Sequence, residues 1–470
     1  MQFRNTLIVL ILLVLVGGYI YFFQAGKPEE ETKKLFDINA DDITRLVLKY
    51  PGQEIEIEKT DGAWKMVKPI KTDADSAAAT TLTHEVASAD VKRTVDEHPS
   101  DLKLFGLDKP AATVVVSTKD KTYPGVEVGK SAPIGYSVYI KTTDNPAVML
   151  TSGGFGPGTK RTVSDLRQHT LMSFKVDDVN KLVVRQGDSA PVELEKDQGK
   201  WKIVKPAKYD ADNERVRTLL GSLSNARIDE FPSDNPSNLA QYGLDKPAVE
   251  VSVFSGPGQS RQSLQFGTKE SGPGKDDYYV RRGEKPNVYT VHTYVFTDAD
   301  KGLNDLRDRT VLAFEPDDVE QVKVTSNGKS FTVAKGEGGK WTETDGGKSD
   351  ADQIKVRQFI DRLHDLKAET IAQDSAANLD KFGLNAPGEE VVISGKGGKA
   401  MGSVKLARVE RHNENDKNGP ARTDYYALSS ASPTVYKIFE YDYTDLIKTP
   451  DQLTSPKPAA VPSAKPSAAK

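Results

Sequence analysis

"LFGLDKP", residues Leu104–Pro110, decides how this chain is read, because it returns twice. Gln241–Pro247 reads "QYGLDKP" and Lys381–Pro387 reads "KFGLNAP", at intervals of 137 and then 140 residues. Aligning the chain on these three segments brings their flanks into register. "DGAWKMVKP" (Asp61–Pro69) falls on "QGKWKIVKP" (Gln198–Pro206) and on "GGKWTETDG" (Gly338–Gly346). Trp64, Trp201 and Trp341, the only tryptophans, therefore share one position. "DDITRLVLK" (Asp41–Lys49) matches Asp177–Arg185 and Asp317–Thr325, and "DAD" recurs at Asp73, Asp210 and Asp350. "SDLRQHTLMSF" (Ser164–Phe174) matches "NDLRDRTVLAF" (Asn304–Phe314), with a degraded copy read in "YTDLI" (Tyr443–Ile447).

A period near 140 residues is far longer than the about 20–50 of solenoids and propeller blades. Each copy is long enough to bury its own core, so the pattern predicts tandem domains over 35–173, 174–313 and 314–450. Within a copy, "LVLK" and "EIEIEK" alternate with period two, as half-buried antiparallel strands do. A turn such as "TDGAW" leads into a third strand that carries the tryptophan. "DAD" then opens a helix, its first Asp read as the cap and its second as a first-turn charge. Val216, Leu219, Leu220 and Leu223 in one copy, and Val356, Phe359, Ile360, Leu363 and Leu366 in another, give single apolar stripes. In the heptapeptide, glycine suits a left-handed turn position, Leu is a buried anchor and Pro precedes a second strand group. The expected fold class is α+β: an N-terminal transmembrane helix, then three homologous modules of antiparallel strands in two groups with one or two helices.

Composition excludes several chemistries. The chain has no cysteine, which removes disulfides, thiol catalysis, cysteine-ligated zinc and iron–sulfur clusters. Its 64 basic and 68 acidic residues nearly cancel, so no basic footprint points to nucleic acid. The uncharged run Thr6–Phe23 would span roughly 27 Å as a helix, close to a bilayer core. Tyr19, Tyr21, Phe22 and Phe23 cluster at its distal end, as interfacial aromatics do. An uncleaved anchor over residues 1–27 is the first reading and a cleaved signal peptide the second, although Phe23 fits poorly before a cut at Ala25. Arg4 against "KPEEE" (Lys27–Glu31) places the N-terminus inside.

The "W-x-[IV]-x-x-P" strand end, the "DAD" helix start, "[FY]GLDKP", a following "[VF]G" strand end and "LRDRT" together resemble the DUF4340 family. The resemblance covers Leu35 to about Leu453 and is strongest in the second copy; the third lacks the proline after its tryptophan strand and carries a charged insertion, Arg408–Arg422. It implies a bacterial envelope protein without assigned activity. Such proteins are often encoded beside ABC transporters of the gliding-motility type.

Other motifs dissolve on inspection. "GVEVGKS" (Gly125–Ser131) resembles a phosphate loop, but Pro124 stands where a glycine is needed and a strand follows. The "DAD" pairs lack the further oxygen ligands of a calcium loop. "SNGK" (Ser326–Lys329) has serine–lysine spacing, yet Asn-Gly between apolar runs is a hairpin signal. The six histidines, His84, His98, His169, His292, His364 and His412, show no metal-binding spacing. His169 aligns with Arg309, where a hydrogen-bonding side chain is expected. "GGFGPG" (Gly153–Gly158) reads as a connection, and the tryptophans as core. The tail 454–470, rich in Pro, Ala, Ser and Lys, is too poor in apolar residues to fold alone.

No catalytic, cofactor or metal residues are expected. The functional expectation is a non-catalytic periplasmic binding or scaffold protein at the cytoplasmic membrane, contacting it through Thr6–Phe23. Its expected partner is an ABC-type transporter complex. The alternatives are an envelope hydrolase, or a cell-wall or carbohydrate-binding protein, with a site between modules that uses Arg408–Arg422 or Gly153–Gly158.

Overall fold

A computed structural model describes residues 14–19, 33–134, 136–152, 154–155, 160–283, 285–345, 350–411 and 421–454. The chain divides into two compact units, Met1–Thr170 and Leu171–Lys470.

The first unit holds β1 (Lys33–Lys34), β2 (Ile43–Tyr50), β3 (Gln53–Thr60), β4 (Ala63–Lys68) and β5 (Thr72–Asp73). After helix α1 (Ser76–Ala87) come β6 (Asp90–Asp96), β7 (Ala112–Thr118), β8 (Val126–Ser131), β9 (Ser137–Thr142) and β10 (Val148–Ser152), then α2 (Val163–Leu166). All ten strands form one sheet in the order β1-β6-β10-β9-β8-β7-β2-β3-β4-β5.

The second unit carries two sheets. One is built from β11 (Val179–Gln186), β12 (Val192–Asp197), β13 (Lys200–Lys205), β14 (Tyr209–Asp210), β15 (Val249–Ser255), β16 (Ser260–Lys269), β17 (Tyr278–Arg282) and β18 (Tyr289–Val291). Its helices are α3 (Asn213–Asn225), α4 (Thr293–Ala299) and α5 (Leu303–Leu306). The other contains β19 (Gln321–Ser326), β20 (Lys329–Lys335), β21 (Trp341–Glu343), β22 (Thr370–Gln373), β23 (Glu389–Ser394), β24 (Ala400–Arg411), β25 (Arg422–Ser429) and β26 (Val435–Ile438). It is completed by α6 (Gln353–His364), α7 (Glu440–Leu446) and α8 (Pro450–Leu453).

The α+β expectation with a leading transmembrane helix is corrected. The architecture is three mainly antiparallel sheets with few helices, of which the longest labelled one, α3, has 13 residues. Among the described residues no helix is long and apolar enough to cross a membrane. Of Thr6–Phe23 only residues 14–19 are described, as helix; the rest, like 412–420 of the charged insertion and the tail from 455, lies outside the described residues.

The two expected strand groups are one sheet in every copy. The first long strand pairs with both groups: β2 with β3 and β7, β11 with β12 and β15, β19 with β20 and β23. A strand in that central place is buried deeply, as Ile43, Leu46, Val47 and Leu48 are. Each sheet packs one long helix, joined by shorter ones in the second and third sheets. Val216, Leu219, Leu220 and Leu223 are the buried residues of α3, and Val356, Phe359, Ile360 and Leu363 those of α6. Leu366 is buried just beyond the helix end.

"DAD" works differently from the expectation. The second aspartate is the cap: Asp75 Oδ1 accepts from the Ala77 and Ala78 N–H groups, at 3.0 and 2.9 Å. Asp212 and Asp352 cap α3 and α6 in the same way. The first aspartate instead lies on a short strand laid antiparallel beside the tryptophan strand, Asp73 pairing with Lys65 and Asp210 with Lys202. The buried alanine between them sits against the closing helix, since Asp75 N donates to Leu166 O, Asp212 N to Leu306 O and Asp352 N to Leu453 O. The third copy therefore closes with α8, not with "YTDLI", which lies in the preceding helix α7. Asp75→Ala should cost about 1 kcal/mol of stability. Asp73→Ala, on an exposed side chain, should stay within about 0.5 kcal/mol. Urea denaturation of the two variants distinguishes the roles.

A glutamate held between two cations recurs, buried on β3 and half-buried on β12. Glu56 lies between Arg45 (2.7 Å) and Lys68 (2.9 Å), and Glu193 between Lys181 (3.0 Å) and Lys205 (2.8 Å). Burial opposes charge on Glu56, yet hydrogen bonds from Lys68 and Arg45 hold its carboxyl below the usual glutamate range. A depressed folded value means stability present above the unfolded pKa of about 4.3 and lost as pH falls through the folded value. The stability gap between the native chain and Glu56→Gln, measured by denaturation from pH 7 to 3, should close on acidification.

Candidate functional site

The motifs set aside from sequence occupy structural positions. The tryptophans are 5–6% exposed, hence core side chains and not ligand platforms. "GVEVGKS" is strand β8, paired to β7 and β9. Asn327 and Gly328, at φ 50° and 74°, form the hairpin turn between β19 and β20. In the heptapeptide, Gly106, Gly243 and Gly383 adopt φ of 65–68°, and Leu107, Leu244 and Leu384 are buried. His169 Nε2 donates to Ser164 O, and the Arg309 guanidinium donates to Glu369 O, so that aligned position grips a backbone carbonyl in both copies.

Sequence spacing gave no hint of one cluster. Asp229 follows α3, Asp277 precedes β17 and His292 follows β18, and pairing of these segments brings them together. Asp229 N donates to Thr290 O at 2.9 Å, and Tyr278 pairs with Val291. His292 then lies between two carboxylates, with Nδ1 3.1 Å from Asp277 Oδ1 and Nε2 3.1 Å from Asp229 Oδ1. The hydrogen bond to Asp277 raises the imidazole pKa above its ordinary value, with Asp229 adding to the effect. Three ligand atoms within 4.8 Å of one another make this a group able to hold a metal ion.

The third sheet builds the same pair. Glu369 N donates to Lys437 O at 2.8 Å and Tyr425 pairs with Ile438, so Glu369 and Asp424 stand where Asp229 and Asp277 do. Here the Lys437 ammonium bridges them, at 3.4 Å from Glu369 and 3.3 Å from Asp424. Arg411 (3.2 Å) and Arg422 (2.9 Å) also reach Asp424. Burial works against the charge on Asp424, but Lys437 and Arg422 keep its pKa depressed. This is what the described part of the Arg408–Arg422 insertion does: it supplies cations to a structural carboxylate.

A cleft of about 690 Å³ opens within the second unit between α3, α6 and α7. Arg215, Lys301, Arg309 and Arg362 face Asp298, Asp365 and Asp442 around it, and Phe439 and Tyr441 form part of its wall. The two rings stack at 5.2 Å, and the Arg362 guanidinium sits 5.0 Å from the Tyr441 ring centre. Burial raises the Asp442 pKa, opposed by Arg362 at 2.8 Å. Tyr294 of α4 matches Tyr441 of α7: each is the second residue of a seven-residue helix, and they are 51% and 55% exposed. The sheets beside this cleft are stapled by Arg307, which contacts Asp374 at 2.6 Å and lies 3.7 Å from the Tyr209 ring centre.

Geometry thus defines a tandem array of antiparallel sheets, each carrying a tryptophan strand, a capped helix and a glycine-turned joint. The family model described as "Domain of unknown function (DUF4340)" matches residues 64–202, 201–387 and 341–465. The chain belongs to that family, in tandem copies, and each match begins at one of the three tryptophans. No curated protein matches the chain.

Proposed function

We propose that this chain is a non-catalytic binding or scaffold protein of the bacterial envelope, an accessory of an ABC-type transporter complex of the gliding-motility kind. It would work on the outer side of the cytoplasmic membrane, with the uncharged run Thr6–Phe23 as its contact with lipid. The observation that carries the reading is the exposed aromatic position repeated in two modules, Tyr294 and Tyr441, with Phe439 stacked on the latter. Exposed aromatics beside an arginine are the side chains that dominate protein–protein binding energy. The Arg307 staple supports it further, because it fixes the second and third sheets together and so cuts the ordering cost of docking.

A photo-crosslinking residue at Tyr441, activated in intact cells, should capture a membrane-protein partner. Phe439→Ala/Tyr441→Ala should abolish co-purification from mild detergent. Recovery of the native chain alone under several mild conditions would sink the scaffold reading. The cleft favours a second reading, cell-wall or carbohydrate binding, since 690 Å³ lies within the about 300–1,000 Å³ of ligand sites and an aromatic pair lines it. Pull-down on isolated envelope polymers, lost in the same double variant, would select that reading.

A further inference from the structure

We propose that Asp229, Asp277 and His292 form a binding site for a divalent transition-metal ion of the zinc class, independent of the docking role above. The ligands are the His292 imidazole and the Asp229 carboxylate, with the Asp277 carboxylate behind the ring, and imidazole with carboxylate is a donor set that zinc accepts. Its spacing is also suitable. Two ligands each about 2.1 Å from one ion, at an angle of 90–110°, lie roughly 3.0–3.4 Å apart. His292 Nε2 and Asp229 Oδ1 are 3.1 Å apart, so they can share an ion without moving away from each other. Asp277, 3.1 Å from Nδ1, accepts the other ring N–H and fixes the tautomer, the outer-shell role that carboxylates commonly play for metal-bound histidines.

The third sheet supplies an independent observation. Its Glu369/Asp424 pair occupies the same register position and is spanned by a permanent cation, the Lys437 ammonium. In the second sheet the residue at the Lys437 position is Thr290, fully buried, whose Oγ1 accepts from Glu230 N at 3.0 Å. Neighbouring lysines are engaged elsewhere: Lys275 with Glu230 (3.0 Å) and Glu270 (3.5 Å), and Lys269 with Asp276. The same pair of acids, with its fixed ammonium deleted and an imidazole set between them, is a place for an exchangeable cation. Access is open, since the His292 side chain is 61% exposed while both aspartates are only 22% exposed and held by strand pairing. Water completes the coordination.

The test is calorimetric titration of zinc into the untagged full-length chain. One zinc per chain is expected at micromolar affinity. His292→Phe, the residue type of Phe439 at the equivalent place, and Asp229→Asn should abolish that event. Asp277→Asn should weaken it about 10–100-fold, as loss of an outer-shell partner does. His84→Ala, on α1 of the first unit, should bind as the native chain does. His292→Lys copies the ammonium of the third sheet; it should fold, keep its melting temperature without metal, and take up no zinc. Zinc should raise the melting temperature of the native chain and not that of His292→Lys. Absence of a saturable event in the native chain, or equal binding by His292→Phe, overturns the site and leaves His292 as an ion-pair bridge.

Discussion

Gly267→Ala should destabilise the second unit by more than about 3 kcal/mol, among the largest effects of any single methyl group in the chain. A Cβ at Gly267 would stand 2.0 Å from the Tyr242 carbonyl oxygen and 3.1 Å from Leu244 Cγ. Both belong to the heptapeptide, whose left-handed Gly243 lays the chain across strand β16 at buried Gly267. Neither neighbour can yield cheaply. One is backbone, and the other is a side chain 2% exposed. Gly129 and the Phe105 carbonyl repeat the arrangement at 2.3 Å in the first unit. The control is Gly258→Ala, with nothing within 4 Å of its Cβ, which should stay within about 0.5 kcal/mol. Denaturant midpoints of the two variants decide the matter; equal midpoints would mean the heptapeptide does not press on the strand.

Trp201→Ala comes next, at about 3–5 kcal/mol, the usual cost of truncating a buried aromatic. The ring belongs to the core of Leu182, Leu194, Leu220 and Leu223. Its backbone bonds, to Asn213 Oδ1 at 2.8 Å and from Ala211 N at 3.3 Å, are available to alanine, so the loss reports packing alone. Because Arg307 ties this sheet to Asp374 beside the third, both sheets of the unit should unfold earlier together. Two separated transitions in Trp201→Ala would show that the staple does not couple them.

Much of this was legible because the repeats comment on one another. Three tryptophans at one aligned position are hard to explain except as core, and Gly-Leu-x-x-Pro carries its own backbone chemistry. The stripes of α3 and α6 follow from period alone. Other features left weaker traces. Strand β6, "DVKRTVD", is exposed along its middle and shows no alternation, so its pairing with β10 and β1 is what makes it a strand. "YTDLI" resembles "SDLRQ" more than "PDQLT" does, yet backbone bonding to Asp352 belongs to the latter. The joining of both strand groups through β2, β11 and β19 is long-range pairing, for which local sequence carries no mark. The Asp229–Asp277–His292 cluster is assembled from three segments as much as 63 positions apart. Aligning Asp277 with Asp424 and Asp229 with Glu369 would have exposed the shared acids, and the strand register was needed to do so.

The outermost strands are very short. The sheets end in β1 and β5, β14 and β18, and β21 and β22, of two to four residues each. Open sheet margins ordinarily recruit further chains and seed aggregation, and brevity is one of the ways proteins blunt them. The twenty-six strands of the described residues are thus bounded by edges that offer little length for pairing. Any companion has to be gripped through side chains, not added as one more ribbon.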